Sequence, residues 1–312
     1  MAHPSVSGSP GSSSRLRTVR PDGTPIYRYE PRPDLPPVSV VRFDSETAHA
    51  GLGRDHRHAH DFLVLVYVEE GAGSFAVGGD ERPLRPGQVH AVPPGQVIDV
   101  SAVSEPARCR AWSVAFTPDA VPALAAVSPL AWAHHPLLAM FAPGAGRGLV
   151  AGPDRARWSA WLTDLSEELA DPRRLGAREV VAGLLTRILV ETARLAPPAF
   201  PGAPDPLVER VFSEIEATFR EPVSVGDVAR ALGYTPGHLT TAVRERTGRP
   251  LLEWITERRM TEVRRMLRET DLPLGVVAAR TGLRDATYLV RRFRDRYGIT
   301  PQRWRLSQRA WP

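Results

Sequence analysis

The sequence predicts an α+β chain of more than one domain, with a β-rich N-terminal part, two helices behind it and an all-α C-terminal part. Three observations predict this. The 312 residues give room for two domains of about 150 residues, each able to bury its own core. Short apolar runs punctuated by Gly and Pro fill residues 38 to 116, whereas from Trp158 onward apolar residues recur at helical spacing. The charge divides too. Residues 1–204 hold 20 Arg against 21 acids and residues 205–312 hold 20 Arg against 14, so the net +5 comes entirely from the last third.

Composition excludes several classes of protein. The longest apolar run, Phe62–Val68, is seven residues, too short for a membrane-spanning helix. The N-terminus has no apolar stretch of the kind a secretory signal needs, and Cys109 is the single cysteine, so neither an intrachain disulfide nor a CxxC zinc site can form. Both point to a reducing cytoplasm. The chain has no lysine, so every cationic contact it makes through Lys or Arg is an arginine, whose planar fork suits phosphate and guanine. A basic last third fits an anionic partner such as nucleic acid, and equally a solvated surface.

Residues 1–37 hold 8 Pro, 6 Ser and 3 Gly with few aliphatics, which predicts a mobile tail. The run Phe62–Val68 predicts a buried strand, and 74–77, 88–92, 97–103 and 110–116 further strands, together a small barrel or sandwich over residues 38–130. In residues 131–196 the period becomes helical: Trp158, Trp161, Leu162, Leu165 and Leu169 form one stripe, and Val181, Leu184, Leu185, Ile188, Leu189 and Leu195 another. The two helices either pack on the barrel or pair two subunits. Residues 197–204 are Pro-rich, a stiff linker and domain boundary, and residues 205–312 form the last domain.

That domain repeats itself. Ala229 and Gly233 recur 49 residues on as Ala278 and Gly282, and Leu239, Val243, Gly248 and Trp254 recur 50 on as Leu289, Phe293, Gly298 and Trp304. Each copy reads as a helix-turn-helix: a short helix ended by glycine, then a capping residue (Thr235, Asp285) that opens a second helix. Between the copies, residues 251–269 predict one helix of about 28 Å, close to the ~34 Å of one DNA turn. Two reading elements therefore fit successive major grooves.

The tail of the second copy, Ala278-x3-Gly282-Leu-x2-Ala-Thr-Tyr-Leu-x3-Phe293-Arg-x3-Gly298-Ile-Thr-Pro301-x2-Trp-Arg305, resembles the DNA-binding domain of the AraC/XylS (arabinose-regulator) family. Two departures, Val243 and Leu283, stand where that family usually has phenylalanine, and both keep the position apolar. The resemblance implies that DNA is met by Gly237, His238, Thr240, Thr241 and Arg244 in the first copy and by Ala286, Thr287, Arg291 and Arg292 in the second, with Arg294 alongside. Arg291 is the expected bidentate guanine contact; Thr240, Thr241 and Thr287 suit base edges or thymine methyls. Arg244, Arg292 and Arg294 are expected to clamp phosphates.

In the N-terminal half, Gly53-x4-His58-x-His60-x3-Val64-x6-Gly71 followed by Pro86-Gly87-x5-Pro93-x-Gly95-x2-Ile98 is similar to the two cupin barrel motifs. Metal cupins carry a glutamate and a histidine where this chain has Val64 and Ile98, which argues against a metal site, a cofactor and cupin enzymology. The resemblance implies instead a cupin-like effector-binding barrel, with His58, His60, Phe62, His90 and Trp112 as pocket-lining candidates. The resulting expectation is a cytoplasmic transcription regulator that is no enzyme, with no catalytic residues. Its partners are double-stranded promoter DNA and a small-molecule effector, with RNA polymerase and a second copy as further ones. The alternative is a cupin-type metal-dependent enzyme fused to a DNA-binding domain.

Overall fold

A computed structural model describes residues 14–30, 36–43, 57–100, 109–141, 147–195 and 205–309. The expected linker 197–204, residues 1–13 of the expected tail and residues 101–103 of an expected strand lie outside them.

The apolar run at Phe62–Val68 organises the N-terminal domain. Within β5 (Leu63–Glu70), Val64 and Val68 face one cluster, with Phe62 just ahead of the strand, while Leu63, Leu65 and Tyr67 face another. A strand buried on both faces reads as a continuous apolar run rather than an alternating one. Its sheet also holds β3 (Val38–Phe43), β8 (Gln88–Val92), β10 (Arg110–Phe116) and β11 (Arg147–Leu149), in the order β11-β8-β5-β10-β3. A second sheet, in the order β1-β2-β4-β9-β6-β7, holds β1 (Ser14–Val19), β2 (Pro25–Tyr29), β4 (Arg57–His60), β6 (Ser74–Val77), β7 (Asp80–Pro83) and β9 (Val97–Asp99). Phe75, Val77 and Ile98 from this sheet pack on Val64, Val68 and Val92 from the other. The cupin-like domain is thus two facing sheets that do not close into a barrel among the described residues.

The outer face of the β5 sheet is covered by α1 (Arg155–Ala170) and α2 (Ala177–Leu195), whose Trp158, Leu162, Leu165, Leu185 and Ile188 join Leu65, Tyr67 and Phe116. The two helices therefore pack on the sheet, as one of the two sequence readings has it.

The tail expected over residues 1–37 needs correction between Ser14 and Tyr29, which form a hairpin, β1–β2. Composition cannot anticipate this, because the ordering is tertiary: β2 pairs in parallel with β4 (Ile26 with Ala59, Tyr27 with His60), and Arg17 reaches Asp61 at 3.4 Å.

The C-terminal domain follows the repeat. After α3 (Pro206–Thr218), α4 (Val225–Leu232) and α5 (Pro236–Thr247) form the first helix-turn-helix. Then α6 (Leu251–Glu269) leads to the second, α7 (Leu274–Arg280) and α8 (Ala286–Tyr297), closed by α9 (Pro301–Arg309). Repeat-related residues take equivalent places: Ala229 and Ala278, Leu239 and Leu289, and Val243 and Phe293 are all fully buried. The copies have separate cores, one around Val211, Ile215, Leu239, Val243 and Trp254, the other around Val263, Leu267, Leu289, Phe293 and Trp304.

Gly233 and Gly282 end α4 and α7 with φ of +78° and +67°, a conformation costly for any residue with a Cβ. Their surroundings differ. A Cβ on Gly233 meets nothing within 4 Å, whereas one on Gly282 falls 2.5 Å from the carbonyl oxygens of both Phe219 and Glu221, in the segment joining α3 to α4. Gly233→Ala should therefore cost about 1 kcal/mol in urea denaturation, and Gly282→Ala on the order of 3 kcal/mol or more. Equal costs would show that this close approach does not set the packing of the two copies.

Candidate nucleic-acid interface

Each second helix of the repeat is started by its own side chain. Thr235 accepts the backbone N–H of His238 at 3.4 Å, with Pro236 at the first helical position. Asp285 accepts the N–H of Tyr288 at 2.7 Å, and that bond, helped by Arg284, holds its carboxyl below the usual range. A capping oxygen on the first turn fixes where the helix begins, and so which residues its outer face presents. Both helices end on glycines with φ near +77°, Gly248 and Gly298.

The faces left outside are those the sequence predicts. Gly237, His238, Thr241 and Arg244 on α5 are exposed and Thr240 half-buried; on α8, Thr287, Arg291 and Arg294 are exposed and Ala286 half-buried. Arg292 differs from its neighbours, because its Nε donates to the Tyr288 hydroxyl at 3.1 Å. Its guanidinium and that of Arg291 each lie 5.5 Å from the Tyr288 ring, so this tyrosine props both arginines along one wall of α8. His238 stacks on Tyr234 at 5.7 Å.

In the sensor, three of the five expected pocket residues, His58, His60 and Phe62, contact one another, and His90 meets Phe75 of the core that Phe62 joins. His58 pairs across the sheet with Ile98, and Ile98 and Val77 face the space between the sheets. His60 lies 4.7 Å from His58 and stacks on Phe62 at 4.6 Å. Burial, with His58 beside it, pushes the His60 imidazole well below its usual pKa and keeps it neutral. His90 is fully buried and meets Phe75 edge-on at 5.1 Å. Trp112 is set apart from these four: it lies on the opposite face of its sheet, in the cluster that includes α1. The cupin glutamate and histidine positions hold Val64 and Ile98, both packed in the core between the sheets. Among the described residues no group of three metal-ligating side chains comes together.

Sequence reasoning missed the residues that join the two halves. Arg296, near the end of α8, pairs with the Asp61 carboxylate, donates to the Asp61 backbone oxygen at 2.9 Å, and donates through Nε to Glu257 of α6 at 2.9 Å. Arg249 adds a second buried cation, 4.0 Å from Glu257. Burial alone would raise the Glu257 carboxyl, but Arg296 and Arg249 outweigh it and hold it at about 2. Around this cluster, Arg20 donates to the Gly95 and Gly248 carbonyls at 2.6 and 3.3 Å, and Arg28 to the Arg294 and Asp295 carbonyls at 3.3 and 3.0 Å. Arg264 of α6, which also acts on Glu257, pairs with Asp119, and Leu130 enters the core of the first repeat copy. Arg296 has a repeat partner, Arg246, but that arginine pairs inside its own domain with Asp205 at 2.7 Å. No periodic signal separates the two roles.

Comparison with known proteins matches two separate parts of the chain. Residues 43–189 match the model of the AraC-like ligand binding domain, and residues 228–307 match a helix-turn-helix domain model. The HTH-type transcriptional activator AarP of Providencia stuartii is 30% identical over 105 residues, 34% of this chain and 78% of that protein. The multiple antibiotic resistance protein MarA of Escherichia coli is 28% identical over 100 residues, 32% of this chain and 79% of its own length. ToxT of Vibrio cholerae aligns over 87% of this chain at 9% identity and a TM-score of 0.36, too loose a likeness to place one half against the other.

The buried charge cluster has an acid signature. A carboxyl whose pKa is lowered on folding contributes stability that is complete above its unfolded value, near 4.5 for Glu257, and is lost as the pH falls toward 2. The urea midpoint of the full chain should therefore drop between pH 4.5 and the acid limit. Glu257→Gln should lower the plateau near neutrality and flatten that limb. An acid limb of unchanged steepness in the variant would separate Glu257 from the effect.

Proposed function

This chain belongs to the AraC/XylS family of transcription regulators, and we propose that it reads double-stranded promoter DNA with α5 and α8 while its two-sheet domain senses a small molecule. One observation carries the reading. The outer faces of two repeat-related helices, each started by its own cap, present Arg244, Arg291 and Arg294 with no acidic partner among the described residues. In this assignment Arg291 and Thr287 contact bases, and Gly237, His238, Thr240, Thr241 and Ala286 line the groove. Arg244, Arg292 and Arg294 contact phosphates.

The effector is assigned to the space beside His58, His60, Phe62 and His90, apart from Trp112. Asp61 follows His60 directly in the chain and holds Arg296 of α8. A ligand that displaces His60 therefore acts on the recognition helix through one intervening residue, provided it binds the two arrangements with different affinity. Aliphatic Val64 and Ile98 at the two cupin ligand positions support a sensor over a metal enzyme, and the relatives are regulators. No helix of the described residues is long and apolar enough to cross a membrane, which agrees with a cytoplasmic site of action. The domain boundary is placed at residues 197–204. Leu175 and Val180, exposed beside α1 and α2, mark the edge for pairing with a second copy, and RNA polymerase is the protein partner that activation at a promoter implies.

Selection of duplexes by the full chain, followed by titration at several salt concentrations, tests the reading. Arg291→Ala should relax base preference at one position by about 1–3 kcal/mol. Arg294→Ala should weaken selected and random duplexes alike and reduce the salt slope by about 1. Salt-insensitive binding, or no binding, by the wild-type chain would overturn the assignment.

A further inference from the structure

The β1–β2 hairpin belongs to the sensor, yet it lies along the recognition helix of the second repeat. Between them is an open cleft of about 760 Å³. Arg15 and Arg28 line it from the hairpin, and Thr287, Arg291, Arg294 and Asp295 from α8. Four arginines and one aspartate thus line the cleft.

Two features show that these charges are held together against their repulsion. Arg15 and Arg28 are direct cross-strand partners, and like charges in that position destabilise a hairpin. Arg28 is fixed there by the carbonyls of Arg294 and Asp295, at the negative end of the α8 dipole, so it cannot swing away without losing both bonds. Arg15 is free to reach outward. Its one acidic contact among the described residues, Glu30 at 3.6 Å, is an exposed pair of little strength.

We propose that this cleft takes the sugar–phosphate backbone of the duplex read by α8, so that the sensor hairpin is part of the DNA interface and Arg15 neutralises a phosphate. The inference rests on the DNA-reading function assigned above. A polyanion relieves the repulsion among the four arginines, and Thr287 and Arg291 place the bases of the same duplex along one wall. A hairpin that shielded the reading helix from DNA would substitute for phosphate and carry acidic residues. Residues 14–30 instead carry four arginines against two acids.

The test uses the full chain, one selected duplex and one random duplex. Arg15→Ala should lower the slope of log K against log salt by about 0.9 on both duplexes, which is about an 8-fold loss at 0.1 M salt. Glu30→Gln, which frees Arg15, should tighten both. Arg15 is exposed and its loss leaves the Arg28 anchor in place, so a folding defect is not expected; circular dichroism and the urea midpoint verify this. An unchanged slope in Arg15→Ala, with Arg294→Ala still lowering it, overturns the hairpin's role and leaves the DNA-reading function standing. Tighter binding by Arg15→Ala overturns it in the opposite sense, marking the hairpin as a barrier. Absence of salt-dependent binding in the wild type removes both claims together.

Discussion

The relation of the two halves depends on Arg296, a cation largely withdrawn from water. Its guanidinium is shared between a carboxylate of the sensor, Asp61, and one of the reader, Glu257. Arg249 adds a second cation beside Glu257 and Arg17 a third beside Asp61, so three guanidinium groups share two carboxylates. Bringing such groups out of water costs several kcal/mol per ion, offset only when geometry and hydrogen bonding are good. Here the Asp61 backbone oxygen takes a further N–H of Arg296, at 2.9 Å. A cluster of this kind contributes modestly to net stability, but loss of one member strands the others. It therefore selects one docking geometry sharply.

That geometry fixes the ends of both recognition helices against one edge of the sensor. Arg20 and Arg28, from the same hairpin, donate to backbone carbonyls at the ends of α5 and α8 respectively. Cations are favourable at helix C-termini, where unsatisfied carbonyls concentrate negative charge. Because α6 separates the two readers by a fixed length, holding both ends from one hairpin sets their mutual orientation from the sensor side. Leu130 and the Asp119–Arg264 pair add further contacts between the two halves. The segment that follows His58 and His60 is thus joined to the end of α8 through Asp61 and Arg296.

The internal repeat shows how one motif acquired two jobs. Caps, buried stripe, terminal glycines and tryptophans coincide between the copies, yet Arg246 stays within its domain and Arg296 reaches the sensor. The first copy is anchored by its own α3, through Asp205. The sensor holds both copies, the first through Leu130 in its core and Arg20 at the Gly248 carbonyl, the second through Asp61 on Arg296.

Much of this was legible in the sequence, because it depends on local physics. The strands at Ser74–Val77, Gln88–Val92 and Arg110–Phe116 and the helix Leu251–Glu269 have the bounds their patterns predict. The two helix-turn-helix units follow from small residues, caps and glycines at fixed offsets. The exposed faces of α5 and α8 follow from which stripe is apolar, and the function class from the signature of buried and turn residues that holds the second copy together. What the tertiary structure alone decided involves partners far apart in the chain. Residues 14–29 have the composition of a tail and become a hairpin because β4 pairs with them. Trp112 alternates onto the helix-covered face, away from the histidines, because register rather than residue type assigns a side chain to a face. Asp61 and Arg296, 235 positions apart, meet only because the two domains dock. The opening division of charge, balanced in one half and basic in the other, was correct as a sum. It was silent on the acid of the first half that holds a base of the second, since a Coulomb contact depends on distance in space and carries no period along the chain.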